Sequence, residues 1–443
     1  MSQRAQRSLE TARNAVPEGT FAVGAGLLVA GITAYAFQIV SFRALSKGDY
    51  TALNGLWVLV FVVAPGMFLP LEQEVGRALA DRRARGVGGG PLIKRAALLG
   101  GILTVALIAA ALAAGGPLSD NLFHGRTALL MCFAIALASY AIEHLTRGTL
   151  SGNDRFGPYG LLLAIEGVVR VTPCIVLWLA GIDDPVYYGL ALAIPPALSS
   201  AIALSGQHGL FKPGPDAPYS ELSTALGYLF VGSLLAQTLG YAAVLGATVL
   251  ATAGERDAVA DFIVGFFLAR IPILLFQAVQ AALLPKLASL AGAGRHDDFK
   301  TGLRRLIVVV VGIGVIGVVA GFTAGPWAGE ILFGEKFTLG HRDLALLAAG
   351  SGAFILALTL AQALIALMGH AKATAAWIAG IVAFVVVTAV GDDLFLRVEL
   401  GYLAGSLVSV VAMGALLLQR IRAGVPDSVA PLVAAIEHEP LEI

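Results

Sequence analysis

Glu166 and Arg170 stand four residues apart in the run FGPYGLLLAIEGVVRVTPCIVLWL, which is otherwise almost wholly apolar. On a helix that spacing puts them one turn apart on one face, acid before base, the order that favours pairing. A lone charge at mid-bilayer costs roughly 2.5–3.5 kcal/mol on insertion scales, so neither side chain can face lipid. Two uses fit the pair. It clamps helices together as a structural ion pair, or it lines a wet lumen and meets a substrate or a coupling ion. Arg270 is the sharper case, because no acid lies three or four residues away and Asp261 is about 13 Å along the axis at the helical rise. Its counter-charge must come from another helix, Glu166 among the candidates, or from an anionic ligand, since guanidinium recognises phosphate bidentately. Pro272, two residues on, removes a backbone donor and predicts a kink. A satisfied structural arginine is the alternative.

Other polar groups are less pointed. Glu72, Glu74 and Arg77 fall at the inner end of a second apolar run, and Glu143 with Arg147 at the inner end of a fourth. They are candidates for an inner gate, or interfacial charges that snorkel to water. Gln38, Gln237, Gln277 and Gln280 line a cavity or hydrogen-bond neighbouring helices. The seven histidines are scattered without ligand spacing. The two cysteines, Cys132 and Cys174, sit in separate apolar runs, which suits buried thiols and offers no disulfide framework or metal spacing. Neither a metal nor an organic cofactor is expected. The glycines of RGVGGGPLIK lack the ending of a phosphate loop, so that segment reads as a linker.

The elements that hold these residues follow from composition. The chain has 443 residues, 58% hydrophobic and only 13% charged, against about 25% charged in an ordinary globular domain. Its mean hydropathy is +0.84. This is the composition of an integral membrane protein, and the zero net charge argues against a nucleic-acid partner. Twelve apolar runs are long enough to cross about 30 Å of hydrocarbon as helices. They fall near 20–42, 50–71, 95–115, 127–148, 157–181, 185–205, 224–252, 258–284, 303–324, 342–368, 373–391 and 398–419. The first is too long for a signal-peptide core and follows a polar leader, so it reads as a span.

With the N-terminus in the cytoplasm, inner segments collect 20 of the 29 Lys and Arg, outer segments seven, and Arg170 and Arg270 lie within spans. The positive-inside rule then places both termini in the cytoplasm. Two inner loops, DRRARGVGGGPLIKRA and GAGRHDDFKTGLRR, are strongly basic. Sliding the sequence by 209 residues lays Arg77 on Lys286 and Arg95 on Arg304, with Pro65 and Pro272 two residues out of register. The expectation is an all-α polytopic membrane protein with about twelve transmembrane helices in two six-helix lobes, related by a pseudo-two-fold repeat around a central cavity. A cytoplasmic leader (1–19), the first lobe (20–205), a cytoplasmic linker (206–223), the second lobe (224–422) and a short acidic cytoplasmic tail (423–443) complete the plan.

The stretch from Arg147 to Arg170 also resembles a pattern found in polysaccharide flippases of the multidrug/oligosaccharidyl-lipid/polysaccharide exporter (MOP) superfamily. The matching residues are Arg147-Gly148, Gly152, Arg155-Phe156, Tyr159, Glu166 and Arg170. FRALSKGDYTALNGL, LPKLASLAGAGRHDDF and ILFGEKFTLGHRDLALLAAG agree as well. The resemblance implies a carrier that flips a lipid-linked oligosaccharide, typically on a polyprenyl diphosphate, from the inner to the outer leaflet of a bacterial plasma membrane. It implies Arg43, Arg170 and Arg270 as cavity cations, an ion gradient as drive, and glycosyltransferases or a polymerase of the same pathway as partners. The chain departs from the fourteen spans and arginine-bearing first helix usual in lipid II flippases of that superfamily. It also lacks the first-span acid common in the drug antiporters.

The leading expectation is therefore flipping without covalent chemistry. Cation-coupled drug or metabolite antiport is the first alternative. A membrane glycosyltransferase or polymerase is the second, but such enzymes usually need acids in a sizeable outer loop, and the first outer loop offers only Asp49. A non-transporting scaffold of cell-wall assembly is the third.

Overall fold

An apolar run in hydrocarbon must satisfy every backbone group within itself, and the helix does so segment by segment. A computed structural model describes residues 20–222, 226–252, 254–272, 296–334, 337–367 and 369–423, and no strand occurs among them. The first lobe holds α1 (Thr20–Ala44), α2 (Lys47–Ala84), α3 (Gly90–Ala113), the short α4 (Gly115–Asn121), α5 (Ala128–Gly152) and α6 (Phe156–Leu179). It closes with α7 (Pro185–Ala193) and α8 (Pro195–Leu204), which share one crossing. The second lobe holds α9 (Leu226–Gly240), α10 (Ala242–Leu250), α11 (Arg256–Ala269), α12 (His296–Phe333), α13 (His341–Ala366), α14 (His370–Thr388) and α15 (Leu394–Ala423).

Among the described residues ten helical spans are long and apolar enough to cross a membrane, or eleven with the bent pair α9 and α10 taken as one span. The remaining expected run, 258–284, begins as α11 and continues outside the described residues. Three helical breaks go beyond the run count. Pro195 and Pro196 divide the sixth crossing, α9 and α10 meet at 63° around Tyr241, and α11 stops at Ala269 with Arg270 as its C-cap. The last break is the expected effect of Pro272, whose ring crowds the helix carbonyl four residues earlier. Pro65 and Pro70 remain inside α2.

The repeat shows in the pairing. In the first lobe α1 lies along α6 and α2 along α5; in the second, α9 lies along α14 and α11 along α13. Glycines permit the closest of these contacts: a Cβ on Gly160 would collide with the Ala22 backbone, and one on Gly26 with Gly160. The lobes meet through α1 and α2 on one side and α9, α11 and α12 on the other.

At the basic-loop end the linker is fastened to the first lobe. Arg82, only 1% exposed, donates to the Glu221 carboxylate at 2.6 and 2.9 Å and to the carbonyls of Gly88, Pro215 and Asp216. Arg95 pairs with Asp216 at 2.8 Å and lies over the Tyr219 ring at 4.7 Å. The hydrogen bond from Arg82 holds the Glu221 carboxyl below the ordinary glutamate range. A depressed acid stabilises above its unfolded pKa and loses that contribution as pH falls through its folded one. Proteolysis within 206–222 should therefore accelerate as pH drops below about 4, and Glu221→Gln should show the fast rate at neutral pH.

Candidate functional site

A cavity of ≈ 360 Å³ lies between the lobes. The first lobe lines it with Tyr35 and Gln38 of α1, Trp57 and Phe61 of α2, Tyr140, Glu143, His144 and Arg147 of α5, and Glu166 and Arg170 of α6. The second contributes Gln237, Tyr241, Phe267 and Arg270.

On the first-lobe wall the charges form one buried chain. Arg170 pairs with Glu166 at 3.0 Å, and Tyr140 donates to Glu166 at 3.3 Å. Arg147 lies 3.8 Å from Glu143 and 3.2 Å from Glu72, and donates to the Tyr159 hydroxyl at 2.8 Å. That hydroxyl in turn donates to Glu72 at 3.0 Å, while His144 Nδ1 meets the other Glu72 oxygen at 2.5 Å. Three acids thus share two arginines, with His144 a further partner of Glu72. The helical spacing explains the arrangement: Glu143 and Arg147, like Glu166 and Arg170, are one turn apart and face the same way.

Arg270 is held differently. Its guanidinium donates to the Gly240 carbonyl, left by the α9–α10 bend at a helix end, where the last carbonyls have no intrahelical partner. The rings of Tyr241, Phe266 and Phe354 surround it at 4.8, 4.9 and 5.9 Å. Such contacts hold a cation without neutralising it. Among the described residues Arg270 has no carboxylate partner, so it is not paired with Glu166 as the sequence allowed. Three further donors of the lining go unanswered among the described residues, Arg170 Nε, Trp57 Nε1 and the buried Gln38 Nε2, whose carbonyl oxygen accepts from Tyr50 at 2.9 Å. Unsatisfied donors and an unneutralised cation together suit an anion.

Solved structures share this arrangement of helices. A MATE in complex with MaL6 matches with a TM-score of 0.66 at 14% identity, covering 91% of this chain and 96% of its own. A MOP superfamily transporter from Pyrococcus furiosus, described by the reverse polarity of its binding pocket, matches with a TM-score of 0.67 at 15% identity, covering 91% and 96%. This is the fold of MATE transporters of the MOP superfamily. An outward-facing MATE family transporter has the same fold, with a TM-score of 0.64 and 14% identity over 92% of this chain and 96% of its own. In sequence, the chain is 25% identical over 443 residues to an uncharacterized protein of Mycobacterium tuberculosis strain H37Rv, covering 95% of this chain and 98% of the relative. An uncharacterized protein of Mycobacterium bovis is 23% identical over 419 residues, covering 89% and 91%. No family model matches the chain.

Within the MATE fold, several expected site residues lie elsewhere. Arg43 is outside the cavity lining; it stands exposed at the end opposite the basic loops and donates to the carbonyls of Ile331 and Leu332 on α12. Lying in the last turn of α1, it reaches the rim and not the lumen. Glu74 and Arg77 pair with each other at 2.8 Å, and Arg77 also donates to the Glu221 carbonyl, so both serve the linker attachment. Glu72 is behind the lining and acts through Arg147 and His144. Gln277 and Gln280 lie outside the described residues.

Some residues that matter gave no sequence signal. Lys47 bridges Asp261 across the lobes at 2.9 Å, and Thr338 donates to the same Asp261 oxygen at 2.6 Å. Phe42 packs edge-on against Phe333 beside them. Among the described residues this is the one ion pair that joins the lobes, and it closes the end opposite the basic loops.

Proposed function

We propose that this chain is an alternating-access carrier that flips an anionic lipid-linked precursor, an oligosaccharide on a polyprenyl diphosphate, from the inner to the outer leaflet of a bacterial plasma membrane. The observation that carries the proposal is Arg270, a cation with no carboxylate partner among the described residues, in a cavity whose lining has further donors unanswered among them. Arg170 reaches the same space from the other lobe, and Gln38, Gln237 and the aromatic walls suit sugar hydroxyls and ring faces. With the basic loops in the cytoplasm, the bridged end is outer and the cavity is poised to load from inside. The resemblance of the Arg147–Arg170 stretch to polysaccharide flippases agrees, and the similarly folded MOP superfamily transporter from Pyrococcus furiosus is itself described by a binding pocket of reverse polarity and a different function. Its partners in this setting are the glycosyltransferases that build the precursor or a polymerase that extends it, and the protein performs no covalent chemistry.

Cation-coupled drug antiport is the second reading, favoured by one observation: Glu143 lines the cavity with an oxygen lacking any partner among the described residues. One experiment separates the two. Purified protein in proteoliposomes should flip a fluorescent polyprenyl-diphosphate oligosaccharide, and Arg270→Gln should slow flipping about tenfold or more, as loss of a charge-assisted hydrogen bond of about 1.5–3 kcal/mol implies. Wild-type flipping by a well-folded Arg270→Gln protein sinks the anion assignment. Extrusion of a cationic dye that depends on Glu143 and not on Arg270 establishes the antiporter.

A further inference from the structure

The glycines of RGVGGGPLIK lack the ending of a phosphate loop, and the structure gives them another use. Gly90 opens α3, and its backbone N–H donates to the Lys212 carbonyl of the linker at 2.9 Å. A Cβ on Gly90 would lie 2.8 Å from that oxygen, and one on Gly88 would collide with the Pro213 carbonyl, so the linker backbone comes this close only over glycine. Lys94 stands one turn further along α3. A helical side chain leans toward the helix N-terminus, so Lys94 covers the turn that Gly90 begins. Two exposed lysines, one from α3 and one from the linker, are thus brought to one turn at the basic-loop end. The arginines around them are already engaged: Arg83 meets Asp154 at 3.7 Å, Arg85 meets Asp81 at 2.6 Å and Arg95 meets Asp216 at 2.8 Å. Lys94 and Lys212 have no carboxylate within ion-pair distance among the described residues.

The face of α3 that carries Lys94 continues as exposed hydrocarbon. Leu98, Ile102 and Val105 follow at spacings of four, four and three residues and are 56%, 60% and 68% exposed. Phe211, next to Lys212, is 61% exposed, which puts an aromatic ring at the head of the stripe, where a membrane–water interface favours one. An apolar stripe that ends in two unneutralised cations has the outline of one kind of molecule, with acyl chains along the stripe and a phosphodiester at its head. We propose that Lys94 and Lys212 bind the headgroup of an anionic membrane phospholipid whose acyl chains lie along Leu98, Ile102 and Val105. Lysine meets phosphate as a point charge on a flexible stem and needs no fixed fork geometry. A phosphate held by both lysines fastens the linker to the first lobe, beside the pairs of Arg82 with Glu221 and Arg95 with Asp216. Such a site holds its lipid whatever the carrier moves.

Native mass spectrometry of the full chain in detergent tests this with two probes, phosphatidylglycerol and phosphatidylcholine. A lysine near an anionic lipid surface is worth about fivefold in affinity, so Lys94→Gln and Lys212→Gln should each weaken phosphatidylglycerol binding about fivefold and the double variant about 25-fold. Phosphatidylcholine binding should be the same in all of them. Arg85→Gln, exposed but already paired with Asp81, should bind both lipids as wild type does. Phosphatidylglycerol should also slow proteolysis within 206–222 in wild type and not in the double variant, with unchanged melting of the lipid-free double variant as the folding control. Wild-type affinity for phosphatidylglycerol in the double variant overturns the assignment. Equal weakening by Arg85→Gln does so too, because it would mean diffuse attraction to the whole basic end. Displacement of the lipid by inorganic phosphate at equal concentration would mean an anion site without an acyl component, and overturns it as well.

Discussion

Glu72→Ala should cost about 3–5 kcal/mol of stability, the usual result of removing one partner of a buried charge pair and leaving the other uncompensated. Glu72 is 6% exposed and is approached by three groups, Arg147, His144 and Tyr159. Its loss leaves Arg147 with the neutral Tyr159 hydroxyl at 2.8 Å and, as its remaining carboxylate among the described residues, Glu143 at 3.8 Å. The three groups come from α5 and α6 while Glu72 belongs to α2, so the chain of charges ties three helices of the first lobe into one body. Thermal unfolding in detergent should show the loss directly. The double variant Glu72→Ala, Arg147→Met should recover much of it, because removing both charges restores balance. A Glu72→Ala protein that loses less than about 1 kcal/mol would show the network to be solvated, with the pairing worth no more than a surface bridge.

How much of this was legible beforehand depended on the range of the interaction. The helices announced themselves because each apolar run obeys a local rule, and the 209-residue repeat was visible because basic loops recur at fixed distance. Glu166 with Arg170, and Glu143 with Arg147, could be read as pairs because four residues are one turn. Arg270 could be flagged because no local partner existed, but its cage draws Tyr241 from the α9–α10 break, Phe266 from α11 and Phe354 from α13, and leaves no mark in any of these segments. His144 went unnoticed for the same reason: as one of several scattered histidines it carries no spacing signal, and only the packing of α5 on α2 brings it to Glu72. Arg43 misled in the opposite sense. A charge at the end of an apolar run reads equally as lumen or rim, and the contact that decides, with carbonyls 288 and 289 residues away, is not encoded nearby.

Asp261→Asn should release the end opposite the basic loops and leave the fold intact. The Asp261 side chain is 3% exposed and that of Lys47 28%, and they join helices of different lobes. Within its own lobe Asp261 also accepts from Thr338 at 2.6 Å, a bond that asparagine can keep, so what the substitution removes is the bridge, whose energy enters the balance between closed and open states. Asparagine keeps the shape and one acceptor for Thr338 but removes the charge that Lys47 answers. A partly buried charge-assisted bond is worth about 1.5–3 kcal/mol, so the open population should rise about tenfold or more. Labelling of Gln38→Cys, a cavity position, by an impermeant maleimide applied to the face opposite the basic loops should accelerate by a similar factor. Lys47→Met should act alike, and the double variant should add little, because two residues of one interaction do not contribute independently. Unchanged labelling in both single variants would mean that the rings of Phe42 and Phe333 and the Arg43 contacts hold this end by themselves, and the bridge would then be a consequence of closure and not its cause.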